Sequence, residues 1–254
     1  LENLNFKIKE IDFLSENNFN FIINNKFKIQ GLNINSKVNL VNLEIENNLN
    51  LQNFFPKIKN KFFLKDNQLQ IKYKKNSLDI IGSGNIFLQE KPDIIEYKII
   101  KNQNNLNFDV ELDIKDNNLK FDLFNFAKKD KSNLKLEIKG EHKFDKGTLL
   151  KKINLVENKN FISIKDLSLS SDKKINYIKN ITLNYQDRDN LRNNIEITKK
   201  NKNYFVKGAS LNINQIVDNL INSENKKKYN LFKDDFKINI KIDQTYLDKK
   251  NIID

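Results

Sequence analysis

Along residues 108–114 apolar and polar side chains alternate without a break, Phe108, Val110, Leu112 and Ile114 against Asp109, Glu111 and Asp113. After Asp116, Asn117 and Asn118 the alternation resumes, with Leu119, Phe121 and Leu123 on one side and Lys120 and Asp122 on the other. Successive side chains of a strand point to opposite faces, whereas a helical period would scatter these residues around a cylinder. The stretch predicts a β-hairpin with one oily and one wet face. Its seven apolar residues are the candidate lining of whatever that oily face meets.

The same period recurs in FNFIINNKFKIQGLNI, KVNLVNLEIENNLNL, NLKLEIKGEHKF, FISIKDLSLSS, INYIKNITLNY and FKINIKIDQTYLD, separated by pairs such as Asn-Asn, Asp-Asn and Lys-Asn. Asn tolerates left-handed backbone, and it replaces the usual turn formers in a chain with 6 Gly and 2 Pro. The pattern predicts an all-β chain, a long antiparallel meander forming a single unit over residues 1–254. Two places break the period. Leu51, Phe54, Phe55 and Ile58, and then Ile213, Ile216, Val217, Leu220 and Ile221, fall at helical spacing and predict short amphipathic helices near 50–58 and 213–222. Two short helices cannot cover so large a sheet. It must cover itself, as a sandwich, a closed barrel, or an open curved sheet whose apolar side faces a cavity.

Composition narrows the function. The net charge of +12 comes almost entirely from Lys, with Arg only at 188 and 192, and Cys, Met and Trp are absent. Such a bias reads as AT-rich coding of an ordinary protein rather than as a nucleic-acid footprint. The aromatic residues also tend to lie opposite the lysines, as Phe27 and Ile29 do to Lys26 and Lys28, which leaves no charged face on which bases could stack. No nucleic-acid partner is expected.

Without cysteine there is no disulfide framework or thiolate metal site, and the lone His142 has no second imidazole to share a metal. His142 is expected as an exposed strand residue. Gly82-Ser83-Gly84 continues into a strand rather than a helix, so it predicts a bulge and not a phosphate loop or nucleophile elbow. The carboxylates are scattered singly. The expectation is a protein with no catalytic residues, no metal and no cofactor. No apolar run approaches the roughly 18 residues that span a bilayer. Because residue 1 is Leu, the chain is expected to be a piece of a longer protein, with any membrane anchor outside it.

The segments LDIIGSGNIFLQ at 78–89, GASLNINQIVDNLI at 208–221 and FKINIKIDQTYLD at 236–248, set among alternating hairpins, resemble AsmA-like proteins of the YhdP-like branch. Where members often carry Asp at the step into the short helix, this chain has Asn50 and Asn212. The resemblance covers most of the chain and implies an open U-shaped groove, a β-taco. It further implies a lipid-transfer segment of the Gram-negative envelope: periplasmic, anchored in the inner membrane through regions outside this chain, and holding phospholipid acyl chains on their way between the two membranes. Phe108, Val110, Leu112, Ile114, Leu119, Phe121 and Leu123 would then line the groove. The alternative is a non-catalytic structural β-sandwich or β-solenoid segment, followed by a basic nucleic-acid-binding β-domain.

Overall fold

The computed structural model describes residues 6–47, 52, 55, 57–58, 61–214, 217, 232–247 and 252–253. The period-2 pattern becomes sixteen strands: β1 (Phe6–Ile23), β2 (Ile29–Asn47), β3 (Lys61–Lys74), β4 (Ser77–Phe87), β5 (Asp93–Lys101), β6 (Asn105–Ile114), β7 (Lys120–Phe121), β8 (Phe126–Ala127), β9 (Leu134–Lys143), β10 (Gly147–Glu157), β11 (Asn160–Leu169), β12 (Ile175–Gln186), β13 (Arg192–Lys200), β14 (Asn203–Asn212), β15 (Lys237–Tyr246) and β16 (Ile252–Ile253). Fourteen of them form one open sheet in chain order, ending in the two-residue stub β16, while β7 and β8 pair only with each other. Neighbours run antiparallel except β14 and β15, which are parallel. The fold is all-β, as the alternation predicts.

The left-handed positions that close the turns are filled mainly by polar residues, Asn76, Asn158, Asn190 and Asn201 among them. Turns therefore fall alternately at the two ends of the strands. At one end lie 24–28, 75–76, 102–104, 144–146, 170–174 and 201–202, all short. The other end carries 88–92, 158–159, 187–191 and the long excursion 115–133 between β6 and β9.

That excursion corrects the expected hairpin. β6 does not pair with the segment that follows it; it pairs with β9, with Val110 opposite Ile138, Leu112 opposite Leu136 and Asp109 opposite Lys139. The reason is length and continuity. β9 offers ten residues in register, whereas the returning arm is cut by a 3-10 turn at Asp122–Phe124 that ends on Asn125 in left-handed backbone. The two amphipathic helices are not supported either. Most of 50–58 and 213–222 lies outside the described residues, and the described part supplies only isolated turn bonds, Ile58 N–H to Phe55 O at 3.0 Å and Val217 N–H to Ile213 O at 2.8 Å.

The packed core sits at the excursion's end of the strands. Ile86, Leu112, Ile114, Leu134, Leu155, Ile162, Leu183 and Ile195 are buried there together with Leu119 and Phe126 of the excursion. Side-chain and backbone groups strap the excursion down at three turns. Asn117 Nδ2 donates to Lys91 O at 2.7 Å and Gln89 Nε2 to Asn118 O at 2.7 Å; Glu157 Oε1 accepts from Lys129 N–H at 2.7 Å and from the Ser132 hydroxyl. At the third turn Tyr185 Oη donates to Phe124 O at 2.6 Å and Asn125 Nδ2 to Asp189 at 2.7 Å. Each bond satisfies a polar group that burial would otherwise leave stranded.

Candidate functional site

Reading partners across the ladder shows what the alternation builds. Val38, Leu69, Gly82, Tyr97, Val110, Ile138, Ile153, Ile164, Ile181, Ile197, Val206 and Ile240 stand opposite one another in turn, one residue from each strand of the main sheet between β2 and β15. Strands stack about 4.8 Å apart, so this apolar row is roughly 50 Å long. A second row, one pleat nearer the excursion, runs Ile95, Leu112, Leu136, Leu155, Ile162, Leu183 and Ile195. The second row is largely buried where the excursion folds over it. Most of the first row is only half-buried.

The opposite face is ionic. Lys139 pairs with Asp109 at 3.0 Å and Glu137 at 3.1 Å, and Lys152 with Glu137 at 2.6 Å, with Lys135 bound to Glu111 beside them. The two lysines hold the Glu137 carboxyl below its ordinary range. A hollow of about 980 Å³ lies against this polar face across β1–β6, lined by Glu16, Lys37, Gln68, Gln70, Glu96 and Lys98 among others. At that end of the sheet the hollow side is polar, which is not a uniform groove wrapped around the apolar face.

Glycines smooth the apolar face at two points. A Cβ on Gly82 would collide with the Tyr97 ring, and one on Gly140 would lie 2.7 Å from Phe108 Cζ. Each ring lies flat across the glycine of the neighbouring strand, so neither projects outward. Gly84 faces Asn67 in the same way, at the irregularity between Lys65 and Gln68. The irregular residues are on β3, opposite the glycines, rather than on β4 where the Gly-Ser-Gly motif predicted them. Tyr97 is the only polar side chain in its row. Its hydroxyl makes no hydrogen bond among the described residues, and burial pushes its pKa up to about 12, so the phenol stays a neutral donor.

The predicted lining residues divide between two environments. Phe108 and Val110 are half-buried on the uncovered part of the face; Leu112, Ile114 and Leu119 are packed into the core, and Phe121 rests against it. Leu123 belongs to the 3-10 turn, and its side chain lies outside the described ones. The structure thus brings Leu112, Ile114, Leu119 and Phe121 together as a plug at one end of the strands. Missing from the expected set are Tyr97, Ile138, Ile153, Ile164, Ile181 and Ile197, each the central apolar residue of its own strand. Alternation marked all of them as apolar-face residues, and only the register shows that they share one row. His142 is half-buried near the end of β9, with its Nδ1 2.9 Å from Thr148 Oγ1. Among the described residues no group of acidic or histidine side chains could hold a metal ion.

Compared with known proteins, the chain matches no family model, no curated protein and no solved structure.

Proposed function

We propose that the uncovered apolar face holds lipid acyl chains, and that the chain is a non-catalytic lipid-transfer segment of the AsmA-like kind. The observation that carries this reading is the half-buried row from Val38 to Ile240. Monomeric soluble proteins rarely leave so long a contiguous apolar strip open, because apolar surface in water costs about 25 cal/mol per Å². Acyl chains laid end to end would fill such a row, and they have no polar groups to leave unpaired.

On this reading the sheet bends into a U-shaped groove along β6–β14, with the excursion as its packed flank, while across β1–β5 the hollow side is the polar one. The flattened rings of Tyr97 and Phe108 keep the floor clear. The lysine-carboxylate lattice on the other face keeps that side in water. Phospholipid would be the cargo and the periplasm the compartment, with membrane anchoring supplied by regions outside this chain.

Val110→Lys tests the reading against Asp113→Lys on the opposite face. A lysine among acyl chains costs roughly 2.5–3.5 kcal/mol on insertion scales unless it reaches water, which an open face permits. The expected result is retained β-structure by circular dichroism in both variants. Co-purified phospholipid, measured by mass spectrometry, should be lost in Val110→Lys only. A wild-type protein that carries no lipid, or a Val110→Lys protein that unfolds while Asp113→Lys does not, would leave a dry β core in its place.

A further inference from the structure

β1 and β2 stay paired out to Ile23 opposite Ile29, but β2 first meets β3 at Asn33, opposite Lys74. At about 3.3 Å per residue, the four residues 29–32 carry the hairpin tip roughly 13 Å past the β3–β4 turn. The projecting part carries exposed apolar residues: Ile22, Ile23 and Ile29 are all more than half exposed, and Phe27 is 89% exposed. The turn itself is well made. Asn24 Oδ1 accepts from Lys26 N–H at 2.9 Å and from Lys28 N–H at 3.0 Å, and Phe27 N–H donates to Asn24 O at 3.0 Å.

Phe27 sits in left-handed backbone, with φ at 55°. Among the described residues, every other non-glycine residue in that conformation is Asn, Asp or Lys. A bulky apolar residue there is strained, and at 89% exposure it has no contacts in the fold to offset the strain. The side chain is therefore placed for something outside the chain.

Charge says what. Counting the flanking strand residues, the turns at this end of the strands (23–29, 74–77, 101–105, 143–147, 169–175 and 200–203) carry eleven lysines and two aspartates. The four described turns at the opposite end (87–93, 114–134, 157–160 and 186–192) carry nine basic and eight acidic residues. All eleven lysines are exposed. We propose that the β1–β2 tip is a membrane-docking element. It dips Phe27 and its isoleucine neighbours into the headgroup boundary of a bilayer containing anionic phospholipid, while the lysines at this end neutralise the phosphates. Ile22, Ile23 and Ile29 have no ring on which a base could stack, but all of them fit among acyl chains. The inference does not depend on what the apolar face carries.

Co-sedimentation with phosphatidylcholine vesicles, with and without about one third phosphatidylglycerol, tests it on the whole chain, using wild type, Phe27→Asn, Ile29→Ser and the Lys26→Gln/Lys28→Gln double variant. Wild type should bind the anionic vesicles at least about tenfold better, and each lysine should account for roughly fivefold of that. Phe27→Asn should cut binding about tenfold, and Ile29→Ser by less, on the hydrophobic part of the interaction. Because Asn accepts left-handed backbone, Phe27→Asn should also leave the unfolding midpoint unchanged or raised. Wild-type binding by Phe27→Asn, a fall in its unfolding midpoint, or wild type that binds heparin but not anionic vesicles would each overturn the proposal.

Discussion

At the excursion's end of the strands, Leu112, Ile114, Leu155 and Leu183 are buried beneath Leu119 and Phe126, and the turns are tied together by side-chain hydrogen bonds. At the other end the same sheet face runs out into short lysine-rich turns, and its described cover is local, Phe232 and Phe236 packed on Tyr204. The strands keep one period through both halves, although lysine concentrates toward the short turns. What differs is the connection. A long excursion with its own apolar residues can fold back and bury a face, while a short Asn-Lys turn can only reverse the chain. One end is thereby a core, and the other keeps much of its apolar face open.

Truncating a side chain at each end should expose this difference most strongly. Phe126 is fully buried and meets Tyr185 edge to face, with ring centroids 5.6 Å apart. Phe126→Ala should cost about 3–5 kcal/mol. Ile240, on the edge-proximal strand β15, is 68% exposed, and Ile240→Ala should stay within about 0.5 kcal/mol of wild type. Chemical denaturation of both variants makes the comparison; equal losses would mean that the central rows are as closed as the core.

A smaller effect should follow from cutting one strap. Glu157 is fully buried, and its Oε1 accepts from Lys129 N–H and the Ser132 hydroxyl. Glu157→Ala takes the acceptor from the Lys129 N–H and leaves the Ser132 hydroxyl only Lys129 O, at about 1–3 kcal/mol, and should make 115–133 the first site of limited proteolysis. Glu157→Gln keeps an acceptor and should be milder. If Glu157→Ala leaves the cleavage pattern unchanged, the excursion is held by its apolar residues alone.

Smaller again should be the effect of lifting a ring from the open face. Gly82→Ala places a methyl where Tyr97 lies, and the ring must swing outward. A loss of about 1 kcal/mol is expected. The accompanying rise in tyrosine exposure should show as stronger fluorescence quenching by acrylamide.

The residues also show why some of this was legible in the sequence and some was not. Strand alternation depends only on nearest neighbours along the chain, so Phe108 to Ile114 and the all-β class could be read directly. Pairing depends on which strand offers the longer register, and the short arm from Leu119 lost β6 to Leu134–Lys143. The same ambiguity hid the division of the predicted lining. Leu112 and Val110 are two residues apart with identical patterning, yet only Leu112 lies under the excursion. Tyr97 was unreadable as a distinctive position because its setting is made by Gly82, a residue on another strand. Phe27 looked like one more apolar strand residue, since nothing in the alternation announces left-handed backbone.

The subtlest test concerns two aspartates at the packed end that are pulled in opposite directions. Asp122 is held below its ordinary range by Arg188 and Lys120 at the surface. Asp93 is raised, chiefly by burial, against the opposing help of Asn117, the Lys115 backbone and Lys128. Its Oδ2 accepts from Asn117 Nδ2 at 2.8 Å, while Oδ1 is buried without a partner. A carboxyl whose pKa is higher folded than unfolded binds its proton more tightly in the folded state. Asp93 therefore favours folding most below its unfolded value, near 3.9, and that contribution is lost as pH rises through the folded pKa. At neutral pH the ionised side chain is a small liability. Asp93→Asn keeps an acceptor for Asn117 and removes the buried charge, so it should match or exceed wild-type stability at pH 7, by less than about 1 kcal/mol. That advantage should vanish near pH 3, where wild-type Asp93 is itself neutral. Thermal unfolding of the two proteins across this range decides the matter. A variant that is weaker at pH 7 and equal at pH 3 would mean that Lys128 attracts the carboxylate more strongly than burial repels it.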